Sequence, residues 1–352
     1  VEKFDLPAWL NYLASARITQ EMDDVWANVS IYYDNAEMKE GARGTGTWRP
    51  LGYDFNLTFG QWYYNDVGSG SGLMATQDWF KSHPFYGGNR VRCYKQEGMS
   101  TTCNDGNNGF EAVWQSAKFR RLYLRRLRTL MDQELKEPGT EEKDVPFMAK
   151  LRELAALMEE DAALDQEKWP HSASNTGAID VWRNGTAWPA TMSAGIDDIW
   201  NNYVVPRQTH LYVTHSITNT EKKVGYGTSL NAGIPDAQSA LDDLKEGLSA
   251  AAVDGGIVIR NANEETIDLS GWEVSGPVVM KLPAGTVIDE GTAENPGELF
   301  VVTDRRAYVA ANKATLTDQV IIGNAAVGSG TDIGLTAADG TVVLSADVIL
   351  PP

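Results

Sequence analysis

Asp23, Asp24 and Asn28 stand close together in the segment Asp23-Asp24-Val25-Trp26-Ala27-Asn28, and Asp54 heads a second segment, Asp54-Phe55-Asn56-Leu57-Thr58-Phe59-Gly60. Carboxylate and amide oxygens are the ligands a hard divalent cation takes, and a carboxylate beside them can accept the proton of an attacking hydroxyl. An Asp followed at a five-residue spacing by an Asn, and then an Asp leading to a Phe-Gly turn, is what phosphoryl transfer needs on its metal side. Asp23 has that spacing to Asn28 and is the first candidate for the base; Asp24 is the alternative. The phosphate-gripping side has no counterpart: Lys281 to Gly285 lacks the Gly-rich run and the Lys-Ser/Thr ending, and reads as a tight turn. Each residue also has a bland reading, with Asp23 and Asp24 capping a hairpin, Asn28 bonding a turn and Asp54 accepting backbone N–H groups.

The elements that must position these groups follow from periodicity. Residues 5–21 read as a helix, with Asp5 as N-cap, Pro7 in the first turn, and Trp9, Leu10, Leu13, Ala16, Arg17 and Ile18 along one stripe. Val29 to Tyr33 and Thr47 to Tyr53 read as two strands of a hairpin, which puts the acidic segments at corresponding ends. Residues 60–108 are rich in Gly, Asn, Ser and aromatics and read as irregular structure. A helix is expected over Ala112 to Leu135, and another over Val145 to Trp169 with Leu151, Leu154, Leu157, Met158 and Leu164 on its apolar side. Ile196 to His215 reads as partly helical, interrupted at Pro206. Five arginines fall within residues 120–128, with Arg121, Arg125 and Arg128 along one side of their helix. They either pair with the chain's own carboxylates or offer a contact for an anion or substrate.

The chain has 352 residues, 42% hydrophobic and 22% charged, which suits two or three globular domains. Its net charge of -18 repels polyanions, so nucleic acid and anionic membranes are not expected partners. No apolar run is long enough for a transmembrane segment. The chain opens at Val1 without a start methionine or an apolar leader, so a longer precursor is expected. Cys93 and Cys103 flank a polar, Gly-containing loop; a disulfide between them would stabilise by about 2–3 kcal/mol and imply an oxidising compartment, the alternative being two unrelated reduced thiols. Asn104-Asp105-Gly106-Asn107-Asn108 resembles part of a Ca²⁺ loop in composition, without the bidentate acid of an EF-hand.

Two resemblances extend this reading. Asp23, Asn28, the Ile31-Tyr32 strand, the run Trp48 to Gly60 and the Arg-rich helix Phe119 to Leu130 resemble the CotH-type kinases, atypical secreted protein kinases first associated with spore coats. The resemblance covers roughly residues 1–225. It implies Asp23 as catalytic base, Asn28 and Asp54 as metal ligands, Mg²⁺ and ATP as cofactors, and a protein Ser/Thr hydroxyl as acceptor. Asn56 stands where relatives often carry an acid, and the N-terminal lobe with its phosphate-gripping Lys would lie upstream of Val1. From Gly255 to Val348 the stretches Ile257 to Ala262, Ile267 to Trp272, Leu282 to Thr286 and Leu299 to Val302 resemble the lamin-tail domain, with Trp272 as its core aromatic.

The expectation is therefore an α+β kinase-like body, a helix-rich C-lobe whose β-hairpin bears the acidic site, plus an all-β immunoglobulin-like sandwich. Residues 1–235 form the first, 236–254 a linker and 255–352 the second. The function implied is a secreted or cell-surface kinase-like protein acting on a protein substrate or a cell-surface component. The alternative is a non-catalytic surface or adhesion protein with an incomplete kinase-like domain.

Overall fold

The computed structural model describes residues 3–21, 29–34, 46–53, 55, 58–59, 113, 116–169, 191–219, 233–316 and 318–346. Within them the protein is α+β, with long helices in the first two thirds and several β-sheets, most of them in the last third.

Helix α1 (Leu6–Thr19) starts where the sequence expects it: the Asp5 carboxylate accepts the Ala8 N–H at 3.1 Å, and Pro7 occupies the first turn, where a missing N–H is harmless. Its residues Leu6, Trp9, Leu10, Leu13, Ala14 and Ile18 are buried. Strands β1 (Val29–Asp34) and β2 (Thr47–Gly52) pair antiparallel, from Val29 opposite Gly52 to Asp34 opposite Thr47. Helix α2 (Ala117–Leu130) is capped by the Ser116 hydroxyl and ends in a wider π-type turn, Met131–Leu135. Leu122, Tyr123, Leu124 and Leu127 are buried on it, because α1 packs on one flank and the C-terminal sheets on another.

Helix α3 (Pro146–Lys168) has the expected limits, but of its expected apolar side Leu151 alone packs against the core. Met148 and Ala155 are its buried residues, while Leu154, Leu157, Met158 and Leu164 face solvent. α3 meets its neighbours through Arg152, which bridges Glu142 and Asp197, and through Glu159, which accepts the Ser193 N–H at 3.3 Å. Helix α4 (192–214) corrects the expected interruption: the chain stays helical through Pro206. The π-type turns Trp200–Val204 and His210–Thr214 on either side widen the helix, and Pro206 sits at the start of the intervening α-turn, where its missing N–H costs least.

The last third begins with a short helix α5 (Leu241–Leu244) and strand β3 (Leu248–Val253). β3 falls inside the stretch read as a linker, where its Ala-rich sequence gives no strand signal. Its partner β4 (Gly256–Asn261) is one two-residue turn away, and Asp254-Gly255, with Gly255 at φ +71°, is the dipeptide such hairpin turns favour. One sheet runs β10-β9-β4-β3, with β9 (Gly297–Val302) and β10 (Val320–Ile322). β9 and β10 are parallel, so the sandwich expected as all-β carries one pair that a hairpin cannot connect. A parallel pair needs a crossover, and an unanticipated helix α6 (Arg305–Asn312), capped by Asp304, supplies it. α6 also explains why β4 and β9 are apolar on both faces: Val258, Phe300 and Val302 pack with Tyr308 and Val309 of α6, while Ile257, Ile259, Leu299 and Val301 enter the main core.

That core is shared with a second sheet, β11-β7-β6-β12-β13, built from β6 (Glu273–Ser275), β7 (Val278–Lys281), β11 (Ala326–Val327), β12 (Ile333–Thr336) and β13 (Val342–Ala346). Between α2 and these sheets lies the short pair β5 (Ile267–Asp268) and β8 (Val287–Ile288). Trp272, expected as the core aromatic, is only 6% exposed. A Cβ on Gly256 would lie 2.2 Å from the Val301 carbonyl oxygen in the adjacent strand. Gly256→Ala should therefore force β4 and β9 apart and destabilise by about 2 kcal/mol, read as a lower midpoint in urea unfolding.

Candidate functional site

The described residues on either side of the acidic segments form a rigid frame. At its near end the β2 backbone is tied to the start of α1: the Trp48 carbonyl accepts from Asp5 N–H and from Trp9 Nε1, both at 3.1 Å, and Trp48 N–H donates to Lys3 O at 2.7 Å. Arg49 adds an ion pair to Asp5 at 2.6 Å. At the far end Gly52 lies against the rings of Tyr12 and Phe55, within 2.7 Å of where a Cβ would sit.

The other end of α1 is fixed more firmly. A helix leaves its last four carbonyls without intrahelical partners, and here each finds one. Ala16 O accepts from Gln20 N–H and Glu21 N–H, Gln20 turning the chain at φ 53°. Arg17 O accepts from Arg207 Nη2 at 2.6 Å, Ile18 O from the Tyr203 hydroxyl, and Thr19 O from Phe59 N–H at 2.7 Å. Phe59 takes a left-handed backbone, φ 56°, which is uncommon for so large a side chain. Its ring is wedged between Phe147 of α3 and Tyr203 of α4, at centroid distances of 5.6 and 5.7 Å, and this packing together with the Thr19 bond holds the conformation.

The electrostatics of this frame suit its bonding. Tyr203 is fully buried, and burial raises its phenol pKa well above the ordinary value, so it stays a neutral donor. Arg17 and Arg207 are both wholly buried; burial, reinforced by the Arg17 charge, lowers the Arg207 pKa, while Tyr203 opposes that shift. His215 packs edge-on to His210 at 4.5 Å. Burial first, and the Arg207 charge second, hold the His215 pKa down at about 3.

Asp23, Asp24, Asn28 and Asp54 lie outside the described residues, as do Asn56, Cys93, Cys103 and Asn104 to Asn108. The frame nonetheless delimits both acidic segments. Asn28 adjoins Val29, whose cross-strand partner Gly52 is two residues before Asp54. Asp23 follows α1 by four residues, and the end of α1 is bonded to Phe59, which closes the second segment. Asn28 and Asp54 carry the hard oxygen atoms that a cation such as Mg²⁺ takes as ligands, and Asp23 and Asp24 carry carboxylates. Among the described residues no group of three or more His, Cys, Asp or Glu side chains is placed to hold a metal ion.

The arginines of α2 meet the chain's own acids. Arg121 donates twice to Asp289, at 3.1 and 2.8 Å, and pairs with Glu290; the carboxylate bond raises its pKa. Arg125 pairs with Glu265 at 3.1 Å, and Arg128 with Asp132 at 2.9 Å, where its guanidinium also lies over the Tyr212 ring. Sequence reasoning missed Tyr203, Arg207 and the Phe59–Thr19 bond. The one local signal was Arg17, a cation on the apolar stripe of α1, which implies a buried neighbourhood able to hold it.

A family model described as CotH kinase protein matches residues 1–187. No curated protein matches the chain. No helix among the described residues is long and apolar enough to cross a membrane.

Tyr203→Phe should leave the buried Ile18 carbonyl without its donor and destabilise by about 1–3 kcal/mol, seen as a lower Tm with an unchanged far-UV spectrum. His215 supplies a pH signature. Its folded pKa of about 3 lies below the ordinary His value near 6.5, so the unfolded chain binds the proton first. Stability contributed above about pH 6.5 is then lost as pH falls, at up to about 1.4 kcal/mol per pH unit. Urea midpoints between pH 7 and 4 should fall less steeply for His215→Gln than for the wild type.

Proposed function

The chain belongs to the CotH kinase protein family, and on that premise we propose that it is a secreted or cell-surface kinase-like protein whose parent reaction transfers the γ-phosphoryl group of ATP to a protein Ser or Thr hydroxyl. The observation that carries the proposal is the pairing of the flanks of the two acidic segments, Val29 with Gly52 and Thr19 with Phe59. A metal-side constellation split between two segments is useful only if the fold draws the segments together.

In this reading Asp23, or Asp24 in its place, orients the acceptor hydroxyl and takes its proton. Asn28 and Asp54 hold Mg²⁺ against the phosphates. Bound Mg²⁺-ATP would supply the phosphoryl group and the charge neutralisation that its transfer needs. α1 and α4 fix the described flanks of these groups, through the bonds of Thr19 to Phe59 and of Ile18 to Tyr203. Residues 255–352 are read as a lamin-tail domain of immunoglobulin-like type, supported by buried Leu269 and Trp272 in the stretch that carries the resemblance and by two sheets closing on one core.

A second reading, a non-catalytic surface or adhesion protein, is favoured by one observation: Arg121, Arg125 and Arg128, read as either pairing with the chain's own carboxylates or contacting an anion, are engaged with Asp289, Glu265 and Asp132. The two readings separate in a phosphoryl-transfer and Mg-ATP binding assay on this chain and on any longer product of the same gene, with Asp54→Ala as control. The kinase reading expects binding and transfer, with Asp54→Ala losing both by at least about 100-fold. Absence of Mg-ATP binding and of transfer to self or acceptor in both forms would leave the non-catalytic reading.

A further inference from the structure

We infer that the arginine face of α2 is a docking surface whose partner is the acidic rim of the chain's own C-terminal sheets, so that residues 233–346 fold with α1 and α2 as one cooperative unit. This holds whether or not the acidic segments turn over ATP.

The junction is built from charges that match residue by residue. Arg126 is 4% exposed; its Nη1 donates to Asp268 Oδ2 at 3.0 Å, while Nε and Nη2 both donate to Asn11 Oδ1, at 3.0 and 2.6 Å. One guanidinium thus joins α1, α2 and β5. Asp268 is held in turn by the Ser270 N–H and hydroxyl, and its own N–H is taken by Gln238. On either side of this pair Arg121 grips Asp289 and Glu290, and Arg125 grips Glu265. Two backbone carbonyls finish the seam: Asp236 O accepts from Arg125 Nη1 at 2.8 Å and Pro235 O from Arg128 Nη1 at 3.0 Å.

Shape agrees with charge. Gly285, at φ +86°, lies so close to α1 that a Cβ would stand 2.0 Å from Pro7 O and 3.0 Å from the Asn11 side chain. Apolar packing crosses the seam as well, since Leu10, Leu13 and Leu127 belong to the same buried cluster as Ile267, Leu282 and Val287. A tethered accessory would show a polar, hydrated boundary with few contacts. This boundary has a buried ion pair, a glycine-only approach and a continuous core.

The test is native-state hydrogen exchange on the full chain. Amides of Leu13 and Leu127 in the helices and of Val258 and Ile259 in β4 should exchange at one common opening free energy. Asp268→Asn keeps the shape but removes the charge, and Gly285→Ala wedges the seam. Each should lower protection in both regions together, by about tenfold or more. Separate opening free energies in the wild type would overturn the inference. So would a loss confined to one region, or no change in either, in Asp268→Asn. Should Gly285→Ala fail to fold at all, Asp268→Asn and the wild-type comparison still decide it.

Discussion

The Arg126 guanidinium, enclosed with Asp268 and Asn11, is the contact on which most of the remaining architecture depends. Burying a cation is unfavourable unless it is paired and hydrogen-bonded, and here the carboxylate and the amide oxygen, from two different elements, accept a bond from each of the three guanidinium nitrogens. Such a pair adds little net stability compared with an apolar replacement. Removing one partner costs about 3–5 kcal/mol, because the other is left charged in a place water does not reach. The arrangement therefore acts as a specificity device. It tolerates one register of α1, α2 and β5, and it makes other packings of these apolar surfaces expensive.

A second constraint lies at the opposite end of α1. The carbonyls that a helix end normally turns to water are taken up by α4 and by the residue that closes the second acidic segment. α1 is thus held at its start by β2, along its length by α2 and the C-terminal sheets, and at its end by α4 and Phe59. The acidic segments emerge from elements whose described ends are bonded to one another, Val29 to Gly52 and Thr19 to Phe59. That suits chemistry whose barrier is lowered by preorganised charge.

The local half of this arrangement was legible in the sequence. Asp5 and Pro7 announced α1, and the runs Val29 to Tyr33 and Thr47 to Tyr53 announced the hairpin, while the spacing of Asp23, Asn28 and Asp54 falls on residues outside those described. Elements whose stability comes from distant partners were not legible. β3 is Ala-rich and is a strand only because β4 offers it a ladder, although Asp254-Gly255 was a usable turn signal. α6 was overlooked because its neighbours β9 and β10 read as successive antiparallel strands. Pro206 looked like a break because propensity cannot foresee the π-type turns beside it. Likewise Arg121 and Arg125 were visible as a row of cations, yet nothing local pointed to Asp289 or Glu265, which lie more than a hundred residues away in the chain.

The close approach of Gly285 to Pro7 also bears on how the molecule is made. Chains leave the ribosome N-terminus first, at about 5–20 residues per second. α1 emerges well before the surface that covers its starting turn, because Gly285 lies far downstream of Pro7 in the chain. For roughly a quarter of a minute to a minute, Trp9, Leu10 and Leu13 must wait with an incomplete shelter. α1 is therefore completed long after it is made, by residues that arrive from the far end of the described chain.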